Sequence, residues 1–99
     1  MNKTENLLVS VMEECSEIQK AASKALRFGL QNSNGLNPTN ARQIILEFFD
    51  LMAVIQLLQD EGTLPTLTAE EQGELIAAKF RKVVSWQHVS REFGTLEEE

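Results

Sequence analysis

Cysteine and histidine are nearly missing from this chain: Cys15 and His88 are the only examples of each. A single cysteine excludes an intrachain disulfide and fits a reduced, cytosolic setting. A single histidine excludes the metal sites that need more. Zinc asks for Cys and His ligands, and neither residue lies in a suitable place. A di-iron bundle needs Glu-x-x-His motifs, but the residue three before His88 is Ser85. Basic side chains are the minority, 9 against 15 acidic ones, for a formal net charge of −6. That balance lacks the footprint a nucleic-acid polymer would require. Long apolar runs are absent as well. The longest, Phe48 to Leu58, is broken by Asp50 and Gln56 and is too short to span a bilayer. No charged-then-apolar signal opens the chain. The expectation is a cytoplasmic protein with no membrane partner.

The 99 residues are enough for one domain, residues 1–99,. A chain this long buries roughly two thirds of the surface its unfolded form exposes. Three helical segments separate cleanly, and no strand pattern competes with them. The first is expected from about Thr4 to Phe28, with Gly29 at its C-terminal cap. A linker rich in turn formers, Gln31 to Pro38, follows. The second is expected from about Thr39 to Asp60, capped by Asn37 with Pro38 in the first turn. Its middle, Ile44 to Leu58, is apolar on nearly every side, which predicts burial all round. The third starts at Thr68-Ala69-Glu70-Glu71, a Thr-x-x-Glu capping box, and runs to about Phe93, with Glu97-Glu98-Glu99 a frayed tail. The fold class is all-α: a helical bundle of three main helices, with a four-helix-bundle-like core completed by oligomerisation into a dimer or tetramer. Three helices around an apolar central one leave too much surface for a comfortable monomer.

Two acidic motifs stand inside these apolar patterns. One is Glu13-Glu14-Cys15-Ser16-Glu17, the other Glu47-Phe48-Phe49-Asp50. Each places carboxylates three residues apart, on one helical face. Around Glu14, the residues Val11, Ile18, Ala22 and Ala25 lie at offsets −3, +4, +8 and +11. Around Glu47, Ile44, Leu51, Ile55 and Leu58 lie at the same four offsets. Two carboxylate pairs are thus aimed toward the core. Buried carboxylates are costly unless paired or metal-bound, and no basic residue shares the face of Glu47 and Asp50. A divalent cation is the cheapest explanation. Mg²⁺ suits it, since it is hard and takes oxygen ligands along with waters and substrate phosphates. Without metal the carboxylates repel, so at least one should have a raised pKa. Cys15 is expected to be a small buried residue and His88 an ordinary surface or interface one.

The pattern Glu-Glu-x-x-Glu followed by Glu-x-x-Asp resembles the all-α nucleoside triphosphate pyrophosphohydrolases of the MazG-like type, in the short single-domain form found in bacteriophages. Ser23-Lys24-Ala25-Leu26-Arg27-Phe28-Gly29, Asn40 and the basic stretch Lys79 to Lys82 share in the likeness, which covers about Leu7 to Phe93. The resemblance implies hydrolysis between the α- and β-phosphates of a nucleoside triphosphate, giving monophosphate and pyrophosphate. It makes Glu14, Glu17, Glu47 and Asp50 the catalytic Mg²⁺ ligands, with Mn²⁺ as a substitute. Glu13 opens the motif but is less often a direct ligand. Phe49 departs from the pattern, because relatives commonly carry Gly there, and a large ring bears on substrate choice.

Cationic groups hold phosphates in other phosphoryl transfers, so Lys20, Lys24, Arg27, Lys79 and Lys82 are candidate substrate contacts. Asn40 is either a residue of the cap region or a substrate contact. Two rival functions remain beside the hydrolase. One is a non-catalytic helical interaction module with a vestigial metal site. The other is a narrow pyrophosphatase for dUTP or phosphoribosyl-ATP.

Overall fold

The computed structural model describes residues 1–33, 35 and 37–98. The linker reading at Asn34 and Leu36 and the tail reading at Glu99 lie outside the described residues. Three helices form: α1 (Lys3–Phe28), α2 (Asn40–Asp60) and α3 (Ala69–Glu92). No strand occurs among the described residues, so the protein is all-α. The chain divides into two compact units, Met1–Pro65 and Thr66–Glu99.

In the first unit α1 and α2 form an antiparallel hairpin. Asn2 caps α1, its side chain accepting from the Glu5 backbone N–H at 2.8 Å. Gly29 ends the helix with φ +96°, a backbone that favours glycine,. The start of α2 is then tied to the end of α1. The Ala41 backbone N–H donates to the Leu30 carbonyl at 2.8 Å, and Asn40 N–H to the Asn32 carbonyl at 3.0 Å. Asn40 Nδ2 donates to the Gly29 carbonyl at 2.8 Å. At the other end Thr4 Oγ1 donates to Glu61 Oε1 at 3.0 Å.

These ties explain one correction. Thr39, not Asn37, caps α2 by accepting from Arg42 N–H at 3.2 Å. The loop carbonyls already satisfy the first free donors of the helix, so the cap falls two residues later and Pro38 precedes it.

The hairpin core is thin. Ala21, Ala25 and Leu58 are buried, while Val11, Ile18, Ile44, Leu51 and Ile55 are half-buried. Ala22, expected on the packed stripe, is exposed, and Ala21 takes its place. At 100° per residue Ala21 and Ala25 point about 20° to either side of Glu14, whereas Ala22 points about 80° away. The two small residues let α2 approach at that level. Cys15, expected to be buried, is also exposed, because it points about 100° from Glu14.

Burial of α2 all round is likewise corrected. Ile45, Leu46, Phe48, Phe49 and Leu57 are exposed. Within the hairpin one neighbouring helix covers one face of α2 and no more.

In the second unit α3 opens with the expected capping box. Glu71 N–H donates to Thr68 Oγ1 at 3.1 Å, and Thr68 N–H donates to Glu71 Oε1 at 3.0 Å. The helix passes Gly73 without interruption and ends before Phe93. None of its residues is buried. His88 sits on its surface and pairs with Glu92 one turn later, 3.2 Å away.

Candidate metal centre

Antiparallel packing brings the two acidic motifs face to face. Glu14 points from the packed side of α1, and Glu47 and Asp50 lie one turn apart on α2. One carboxylate oxygen from each of the three lies within 4.8 Å of the others. Glu14 and Glu47 are half-buried and Asp50 is exposed. Burial raises the Glu14 pKa above its ordinary value, and the charges of Asp50, Glu47, Glu17 and Glu13 raise it further, in that order,. The packing of α1 against α2 thus holds like charges together against their repulsion.

The donor set suits a hard divalent cation. All three groups are carboxylates, and the exposed side leaves room for waters or phosphate oxygens. Octahedral Mg²⁺ with bonds of about 2.1 Å puts ligand oxygens about 3 to 4.2 Å apart. Glu17 is not one of the three converging groups, although it is close enough to raise the Glu14 pKa.

A cleft of about 430 Å³ adjoins this cluster between α1, the loop after it and the start of α2. Glu47 belongs to both the cluster and the cleft. Glu17, Lys20, Lys24 and Phe28 line the α1 side, over Ala21. This face follows from spacing, since offsets of 3, 4, 7 and 11 from Glu17 share one side of a helix. Asn40 lines the opposite wall.

Of the sequence-predicted residues, the fold therefore brings Glu14, Glu47 and Asp50 into one cluster, and Glu17, Lys20, Lys24, Asn40 and Glu47 into the cleft beside it. Asn40 has a structural task there, holding the Gly29 carbonyl. Arg27 is not part of the cleft wall. Its guanidinium lies over the Phe28 ring, 5.3 Å from the centroid,. Lys79 and Lys82 are exposed on α3, in the second unit. Phe49 is exposed and meets Phe48 edge to face, with centroids 5.4 Å apart.

Gln43, Phe28 and Asn32 join the site without having been singled out by sequence reasoning. Gln43 Nε2 donates to Glu47 Oε1 and so orients that carboxylate. Its signal was the i, i+4 spacing to Glu47. Comparisons with protein-family models, curated proteins and solved structures gave no match.

Proposed function

We infer that this chain is a Mg²⁺-dependent nucleoside triphosphate pyrophosphohydrolase, with Mn²⁺ able to substitute, that cleaves the α–β phosphoanhydride. The observation that carries the reading is the convergence of Glu14, Glu47 and Asp50 at a cleft lined by Lys20 and Lys24. Carboxylates and ammonium groups in that order match a metal-bound polyphosphate, whose remaining charge needs cationic partners. The MazG-like spacing of the two motifs supports the same chemistry.

Glu14, Glu47 and Asp50 would hold the ion. When bound, it would neutralise the polyphosphate and polarise a phosphoryl oxygen. Lys20 and Lys24 hold the phosphates along the cleft. Glu17 lines the cleft without joining the three converging carboxylates, and would orient a water and take its proton. The water oxygen bonds to the α-phosphorus as the bond to the bridging oxygen breaks, and pyrophosphate leaves.

We assign residues 1–99 to one functional domain acting in the cytoplasm, with no nucleic-acid polymer as partner. Its assembly is a dimer or tetramer. The exposed Ile45, Phe48 and Phe49 of α2 and the thin hairpin core support that assembly, because pairing two hairpins makes a four-helix-bundle-like core. Among the described residues no helix is long and apolar enough to cross a membrane.

Product chromatography after incubation with a panel of triphosphates and Mg²⁺ tests the reading. Monophosphate and pyrophosphate are expected, and orthophosphate as the primary product would sink it. The same panel separates a broad enzyme from one restricted to dUTP or phosphoribosyl-ATP. The interaction-module alternative draws on the exposed apolar side chains of α3, among them Ile76, Phe80 and Trp86. It requires that no triphosphate be cleaved.

A further inference from the structure

The cleft changes character along its length. At one end stand the carboxylates Glu17 and Glu47, and the ammonium groups of Lys20 and Lys24 follow. At the far end of α1 stands Phe28, and the amide-bearing Asn32 of the following loop lines the same cleft. Eleven residues of helix separate Glu17 from Phe28, about 16 Å at 1.5 Å per residue. Phe28 is the last residue of α1 and is 56% exposed. An aromatic ring left in water at the rim of a polar cleft loses the burial that normally justifies it. The Arg27 guanidinium covers one face of the ring and so restrains its motion. Asn40 restrains the backbone just beyond it through the Gly29 carbonyl.

We propose that Phe28 is a stacking platform for the nucleobase of the substrate, with Arg27 as its positioning residue. This proposal rests on the hydrolase reading given above. A nucleoside triphosphate has the same gradient as the cleft: metal-bound phosphates, then further phosphate charge, then a sugar, then a flat ring. If the phosphates lie against Glu47, Lys20 and Lys24, the base falls at Phe28. Stacking tolerates any base, because every base has a π-face. The platform therefore anchors nucleotides as a class and leaves discrimination to polar groups such as the Asn32 amide.

Equilibrium binding in Mg²⁺ tests the platform, using α,β-methylene analogues of the deoxynucleoside triphosphates and inorganic tripolyphosphate as probes. The wild type is expected to bind the nucleotide analogues more tightly than tripolyphosphate. Phe28→Ala should weaken the analogues by about tenfold, within the range of base–aromatic stacking, and change tripolyphosphate by less than twofold. Phe28→Trp should retain analogue affinity. Far-UV circular dichroism verifies that both variants keep their helices, and the exposure of Phe28 makes that the expected result. Equal weakening of both probes in Phe28→Ala would overturn the platform while leaving the hydrolase intact. Phe28-dependent nucleotide binding without hydrolysis of the natural triphosphates would support the platform and remove the hydrolase. A wild type that binds no nucleotide analogue would overturn both.

Discussion

The hairpin of residues 1–65 and the helix of residues 66–99 both begin with good caps, yet they differ in what they bury. Asn2 opens α1 with a 2.8 Å bond, and Thr68 opens α3 with a reciprocal pair. The hairpin goes on to bury Ala21, Ala25 and Leu58, while α3 buries nothing. It also assembles the acidic cluster, whereas the acidic groups of the α3 first turn serve the helix end. Local signals therefore suffice to write a helix, but a chemical site needs two helices in register. The same residue type shows the contrast most directly. Glu14 in the hairpin has its pKa raised by burial and by like charges. Glu71 in α3 has its pKa lowered by hydrogen bonds from Thr68.

The largest expected effect removes one charge from the cluster. Glu47→Gln keeps the size of the side chain, so the helices should persist while turnover falls by about a hundredfold or more, the scale of losing a transition-state electrostatic partner. It should also remove the Mg²⁺-induced stabilisation, about 2.7 kcal/mol at roughly a hundredfold excess over Kd. Steady-state rates and thermal melts at matched ionic strength measure both. Near-normal turnover, or equal Mg²⁺ shifts in wild type and variant, would mean that the cluster holds no functional ion.

Core truncation comes next. Leu58→Ala opens a cavity at a fully buried position and should cost about 2 to 5 kcal/mol. Leu75→Ala, on a side chain 60% exposed in α3, should change stability by about 0.5 kcal/mol or less in the monomer. Denaturant midpoints across a protein-concentration series sharpen the comparison. A Leu75→Ala loss approaching that of Leu58→Ala, and growing with concentration, would place α3 inside the oligomer interface. Light scattering showing a monomer at low micromolar concentration would refute the oligomer itself.

Cap removal is smaller. Thr68→Ala should destabilise α3 by about 1 kcal/mol, read as helix loss by circular dichroism. Asn2→Ala should act similarly on α1.

Acidification should move the two regions in opposite directions, by the least. Glu14 favours its proton in the fold. Between the ordinary glutamate value of 4.5 and its raised value, the native state therefore binds more protons than the unfolded one. Its contribution is greatest below 4.5 and is lost as pH rises through the raised value. Glu71 behaves inversely. Its contribution is present above 4.5 and lost as pH falls through its lowered value. Metal-free carboxyl titrations by NMR measure both groups. Shifts of the same sign would break the distinction between cluster and cap.

Much of this was legible in the residues. The Thr68 and Glu71 capping box, Gly29 after Phe28 and the 3.6-residue apolar pattern each act over a few residues, so their outcome depends little on the rest of the chain. The i, i+3 carboxylate pairs were legible for the same reason. Other features were not. Ala21 rather than Ala22 became buried because the azimuth of α2 against α1 is set by packing. Thr39 displaced Asn37 as cap because carbonyls of the α1–α2 loop, distant from α2 in sequence by eight or more residues, took its first donors. The exposed face of α2 shows that an apolar pattern states a tendency to be covered without naming what covers it.

The sequence by itself determined three helices, the capping box of Thr68 and Glu71, the glycine end of α1, the absence of an intrachain disulfide and the carboxylate pairs, because each follows from local geometry and residue chemistry. Tertiary structure alone decided which carboxylates converge, that Glu47 joins the cluster to a cleft, and that the face of α1 carrying Lys20, Lys24 and Phe28 lines it. Those facts depend on the antiparallel register of α1 against α2. Register is held at one end by the bonds that join Gly29 and Leu30 to Asn40 and Ala41 and at the other by Thr4 donating to Glu61, with Ala21, Ala25 and Leu58 buried along the hairpin. Spacing along either helix alone does not contain it.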